Sequence, residues 1–96
     1  MGTLERVIEN YANQQIEKAG GWMLKFVSPG ERGVPDDIAL WSIGDFDFIE
    51  FKQEDAKPTP QQEEIHTELR RRGFAVVILR SKVQVDEYVR NRTARI

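Results

Sequence analysis

The stretch Ile38-Ala-Leu-Trp-Ser-Ile-Gly-Asp-Phe-Asp-Phe-Ile-Glu-Phe-Lys52 decides the fold. Two strand-like runs, Ile38 to Ile43 and Phe46 to Lys52, flank Gly44-Asp45, so the segment reads as an antiparallel hairpin. Successive side chains leave opposite faces of a strand, which puts Phe46, Phe48, Glu50 and Lys52 on one face and Ile49 and Phe51 on the other. A carboxylate and a lysine at the end of such an apolar strand are either an ion row on an edge beside solvent or part of a site.

Upstream, Ser28-Pro-Gly-Glu-Arg-Gly-Val-Pro35 is a loop, because two Pro and two Gly punctuate eight residues. Before it, Trp22 to Val27 reads as a strand. Thr3 to Ala19 carries Leu4, Val7, Ile8, Tyr11, Ala12, Ile16 and Ala19 at helical spacing, with Thr3 as cap, Glu5 in the first turn and Gly20-Gly21 as stop. Downstream, Thr59-Pro-Gln-Gln62 combines a capping Thr, a Pro at the first helical position and a Gln that reaches back. That helix is expected to run to Arg72 and stop at Gly73. Phe74 to Leu79 is apolar on both faces and reads as a central strand covered by helices. Ser81-x-x-Gln84 opens a last helix through Arg92, with Val85 and Val89 inward. The order is αβββαβα in a single domain over residues 1–96. The segment Pro58 to Gly73 is long enough for a right-handed crossover, so the α/β fold has a mixed four-stranded sheet with its last strand parallel.

Asp36 turns the hairpin into a candidate site. With a three-residue loop at Ile43-Gly44-Asp45, Asp36 falls opposite Lys52 and Ile38 opposite Glu50, and all four share a face. A two-residue loop would send Asp36 to the other face, so a shared site requires an odd turn, a bulge or an irregular strand start. Clustered carboxylates are hard oxygen ligands suited to Mg2+ or Mn2+, and a bound cation converts their repulsion into coordination. A lysine beside them can offset charge on a phosphate or orient the attacking water. Together these are the equipment of metal-dependent phosphodiester hydrolysis.

Composition narrows the alternatives. Ninety-six residues with 40% apolar content, five Phe, two Trp and two Tyr make one packed domain. The absence of Cys excludes disulfide scaffolds, zinc fingers and thiolate nucleophiles, and a single His excludes a His-rich metal cluster. No run approaches membrane-span length and the N-terminus has no signal-peptide pattern, so a soluble intracellular, cytoplasmic protein is expected. Net charge is −2, but residues 1–56 carry −6 and residues 57–96 carry +4, an acidic centre beside a basic flank.

Gly33-Val-Pro-Asp36, then Glu50-Phe-Lys52, then Lys57-Pro-Thr-Pro-Gln-Gln62 ahead of a helix closed by Arg-Arg-Gly73-Phe, resembles the VRR-NUC group of PD-(D/E)XK nucleases. The resemblance implies a restriction-endonuclease-like core from Glu9 to about Val89. By position it implies catalytic Glu9, Asp36, Glu50, Lys52 and Gln62, with Asp36, Glu50 and Glu9 as ligands of Mg2+ or Mn2+. Small stand-alone members of the group, from phages and bacteria, are similar to Holliday-junction resolvases. The expected activity is therefore a divalent-metal-dependent, structure-selective DNA endonuclease acting on branched DNA as a dimer or higher oligomer. The alternative is a non-catalytic nucleic-acid-binding or assembly domain on the same fold. Asp37 departs from the group, which often has a basic or neutral residue there; it is a spare ligand, a hindrance to phosphate or a solvent-facing acid. The helix wheel does not separate Glu9 from Glu5. Lys25, Ser28, Arg32, Lys57 and Arg70 are candidate DNA contacts, although bases at a helix end such as Arg70 also serve the dipole. His66 reads as surface or substrate-proximal, and Tyr88 and Trp22 as core or interface aromatics.

Overall fold

The computed structural model describes residues 2–94. Its elements follow the expected order: α1 (Thr3–Lys18), β1 (Trp22–Lys25), β2 (Asp37–Leu40), β3 (Phe46–Phe51), α2 (Pro60–Arg71), β4 (Val76–Leu79) and α3 (Lys82–Thr93). The strands form one sheet in the order β1-β2-β3-β4. The first two pairings are antiparallel and β3 pairs with β4 in parallel, as the α2 crossover requires.

Strand alternation then sorts the layers. Ile49 and Phe51 join Ile8, Ala12 and Ile16 of α1 and Val85 and Tyr88 of α3 in the core. Glu50, one residue away, meets α2 instead. Helices α1 and α3 therefore cover one face and α2 covers part of the other. Beside α2 that second face is aromatic: the Phe46 and Phe48 rings pack edge to face with centroids 5.4 Å apart, and Phe26 and Phe74 complete the cluster. Trp22 at 62% exposure and Phe74 at 41% leave its margin open to solvent.

Several expectations need correction. The β4 strand lies at the sheet edge and is not central; it is apolar on both faces because α2 packs against one and α3 against the other. The cap of α1 is Gly2, not Thr3, and the Glu5 carboxylate accepts the Gly2 N–H at 3.1 Å. Leu4 and Val7 are exposed, so the buried stripe of α1 is only Ile8, Ala12 and Ile16. Ser81 does cap α3, but the Gln84 side chain accepts from the Arg80 N–H, one residue before the expected position. Of the two aromatics read as core or interface, Tyr88 is in the core and Trp22 is outside it.

The hairpin turn is odd-numbered. Leu40 pairs with Phe46, and the Trp41 N–H donates to the Asp45 carbonyl at 2.8 Å, so the turn spans Ser42, Ile43 and Gly44. The loop begins one residue earlier than expected because Ile43 (φ 63°) and Gly44 (φ 73°) both take the left-handed conformation. The register consequently moves by one rung: Ile38 faces Phe48 and not Glu50. One step beyond the ladder, Asp36 falls opposite Glu50 and not Lys52.

Candidate active site

Asp36 is held at the end of the β2–β3 ladder by its own side chain. The Phe51 N–H donates to its Oδ2 at 2.8 Å, and its carbonyl accepts the Phe26 N–H at 2.9 Å. Glu50 is buried to 2% exposure on the α2 face. The Gln62 amide donates to its Oε2 at 3.2 Å, and the Lys52 Nζ lies 3.9 Å from the same oxygen. The structure thus brings Asp36, Glu50, Lys52 and Gln62 together.

Gln62 has its amide orientation set by the helix cap. Its Oε1 accepts the Thr59 N–H at 2.9 Å while the Thr59 Oγ1 accepts the Gln62 N–H at 3.1 Å. With the amide oxygen committed to the cap, the NH2 group is what remains to meet Glu50.

Gly33 makes the approach of the two segments possible. A Cβ there would lie 2.8 Å from the Gln61 carbonyl oxygen, and the residue sits at φ +83°. Only glycine lets the Asp36 loop rest this closely on the first turn of α2. Gly33→Ala should therefore cost about 1–2 kcal/mol from backbone conformation alone, with a further loss from the clash. A lower urea midpoint together with reduced activity would show it; wild-type values for both would refute it.

Glu9 lies on the α1 side of the sheet, where its charge also reaches Asp36. Its Oε2 accepts from the Lys25 Nζ at 2.6 Å, and it faces Asp37. Among the described residues no group of three or more His, Asp or Glu side chains is gathered as a metal-ligand set. Glu5 accepts the Gly2 N–H at its helix cap, and its charge also reaches Glu50. Asp37 is neither solvent-facing nor beside Glu50: it is 2% exposed and pairs with Lys25 across β1–β2.

The basic candidates divide as well. Arg32 and Lys57 are exposed and Ser28 is half-buried. Lys25 is engaged with Glu9. Arg70 donates to the Val76 carbonyl at 2.8 Å, which ties α2 to β4. His66 is not a surface residue: it is 2% exposed, with its Nε2 3.8 Å from the Glu50 Oε1. Its neighbour on the helix wheel, Gln62, was the available signal, but the wheel does not say which face meets the sheet. Arg80, not singled out from the sequence, donates to the Gln53 carbonyl at 3.0 Å and also to the Ala56 carbonyl, which holds the loop after Lys52.

Burial, and then the charge of Asp36, push the Glu50 carboxyl up to about 8. Burial likewise raises Asp36. Burial and the facing Glu9 raise Asp37 to about 8. Burial also acts to raise Glu9, but its contacts with Asp37 and Lys25 outweigh this and lower it. Below the ordinary 4.5, Glu50 is protonated in both folded and unfolded chains and its contribution to stability is fully present. As pH rises through about 8 the unfolded chain has already released that proton, and the contribution is lost. Asp37 acts in the same sense, while the lowered Glu9 acts only at more acidic pH. In EDTA the urea midpoint should be lower at about pH 8.5 than at about pH 5, and Glu50→Gln should flatten the difference. An equal or higher midpoint at the alkaline pH would contradict it.

Comparison with known proteins bears on the fold and the family. No family model matches the chain. The "Putative nuclease p44" of Acyrthosiphon pisum secondary endosymbiont phage 1 is 41% identical over 78 residues, covering 81% of this chain and 84% of that protein. A solved structure described as a VRR_NUC domain superposes with a TM-score of 0.87 at 33% identity, covering 93% of this chain and 97% of the other. The chain belongs to the VRR-NUC family. The αβββαβα order and the mixed four-stranded sheet are this VRR-NUC chain's version of the family fold. No helix among the described residues is long and apolar enough to cross a membrane.

Proposed function

We propose that this VRR-NUC chain is a divalent-metal-dependent DNA endonuclease selective for branched structures. The observation that carries the reading is the pairing of half-buried Asp36 with buried Glu50, two carboxyls whose protonation is favoured by burial and, for Glu50, by the charge of its partner. Two hard carboxylates crowded together in this way suit Mg2+ or Mn2+, whose charge would offset their repulsion. Asp36 and Glu50 would hold the ion, and Glu9, whose Oε2 accepts from Lys25, would support it directly or through water. A divalent cation bound there supplies Lewis-acid polarisation of the phosphate and a water of lowered pKa.

The remaining roles belong to the chain. Gln62 fixes the Glu50 carboxylate through a helix cap, and Phe51 fixes Asp36 through the backbone, so neither group must reorganise as charge develops. Lys52 offers a positive charge beside them to orient the attacking water and offset charge on the phosphate oxygens. Arg32, Lys57 and Ser28 lie on loops where they would meet the DNA backbone, contacts that position a substrate without reading its bases. Two copies of the chain would address two strands of one junction, and the open aromatic margin at Trp22 and Phe74 supports a contact between copies.

A cleavage assay on duplex, flap, four-way-junction and single-stranded DNA, with Mg2+, Mn2+ or EDTA, tests the proposal. Cleavage of branched DNA only with added cation is expected. Tight DNA binding with no cleavage under any condition would favour a non-catalytic binding domain. Sedimentation equilibrium tests the pairing: a single species near 11 kDa without DNA would refute a constitutive dimer, and one copy of the chain per junction at saturation would refute the paired sites as well.

A further inference from the structure

We propose that His66 is a positioning residue, whose Nε2 steadies the Glu50 Oε1 while Gln62 steadies Oε2. The inference rests on the nuclease reading for its consequence, but the contact itself does not. The Glu50 Oε1 and the His66 Nε2 are both buried, and both lack a hydrogen-bond partner. They lie 3.8 Å apart, with each side chain 2% exposed. A buried polar atom without a partner destabilises a fold, and two such atoms facing each other are complementary, since a shift of under about 1 Å brings them to hydrogen-bond distance.

The geometry of α2 favours this role. His66 follows Gln62 by four residues, so both project from one face of the helix onto the same carboxylate. The first turn is pinned by the Thr59–Gln62 cap and the far end by the Arg70 bond to Val76. Glu50 is thereby held by two side chains on a helix anchored at both ends. If the position served packing alone, an aliphatic side chain would fill it without leaving a nitrogen unsatisfied.

Two measurements test the proposal. His66 is the single histidine of the chain, so its imidazole signals in a 1H–15N spectrum need no assignment. Glu50→Gln should move them in cation-free protein, whereas Glu64→Gln, an exposed change on the same helix, should not. Ring signals indifferent to Glu50→Gln would overturn the contact. Second, His66→Leu should remain folded, bind Mn2+ about 10- to 100-fold more weakly by calorimetry, and lower kcat with little change in KM for DNA. His66→Gln, which restores a donor, should recover most of the Mn2+ affinity. A folded His66→Leu with wild-type Mn2+ affinity and kcat would overturn the role. If His66→Leu fails to fold, His66→Gln at wild-type affinity supports the role and His66→Gln as weak as a chelated control overturns it. Absence of Mn2+ binding and of cleavage in the wild-type protein would count against the nuclease reading, and the ring signals would then decide the contact alone.

Discussion

Glu50→Gln should lower metal-dependent cleavage by at least about a thousandfold while leaving the fold intact, because losing one member of a catalytic unit removes most of what the unit achieves. The substitution keeps the shape of the side chain and removes only its charge. Since burial already holds the cation-free carboxyl protonated up to about pH 8, a neutral amide suits the folded chain well. The variant should therefore melt at or above the wild-type temperature in EDTA, and Mn2+, which is expected to raise the wild-type melting temperature, should leave the variant's unchanged. Asp36→Asn should behave alike in cleavage, and the double variant should lose little more than either single one. Wild-type cleavage by purified Glu50→Gln would remove Asp36–Glu50 as the reacting centre.

Arg92→Met should be strongly destabilising. The Arg92 guanidinium, 5% exposed, donates through Nε to the Asp47 Oδ2 at 2.7 Å and also bonds Asp45. The Tyr88 hydroxyl donates to the same Asp47 oxygen, and the Trp41 Nε1 donates to that hydroxyl at 3.0 Å. The network ties the end of α3 to the hairpin. Removing the arginine leaves a buried Asp47 charge without its counter-ion, at a cost of about 3–5 kcal/mol. For a domain of this size that lowers the melting temperature by more than about 12 °C. Adding Asp47→Asn should recover part of the loss, because the orphaned charge goes with it. Asp47 lies on the opposite face of β3 from Glu50, so the folded variant should still cleave at low temperature. A melting temperature within about 3 °C of wild type would show the network to be ornamental.

These residues also show how far the sequence could be read. The pairing of Glu50 with Lys52 on one face follows from the two-residue period of a strand, and the need for an odd turn follows from Asp36. The register was missed by one rung because nothing in the sequence announces that Ile43, a β-branched residue, takes a left-handed conformation. Edge and centre were confused at β4 because hydropathy reports that both faces are covered and not what lies alongside. A helix wheel leaves His66 between surface and site, because it fixes which residues share a face but not which face meets the sheet; the burial of His66 beside Glu50 excludes the surface. Gly33 was legible as punctuation, whereas its close approach to Gln61 joins segments far apart in the chain. Asp37 and Asp47 were invisible as buried acids, since their partners Glu9, Lys25 and Arg92 come from distant elements.

The last rung of the central hairpin is a side chain: the Phe51 amide is donated to the Asp36 carboxylate and not to a strand carbonyl. Its proton therefore senses the charge density on Asp36 directly, and the chemical shift of this one backbone amide should follow whatever binds at the carboxylate. The protein carries its own spectroscopic probe of occupancy. Titration with Mg2+, which is diamagnetic, would then yield a binding curve and a stoichiometry from an unlabelled side chain, without DNA and without turnover.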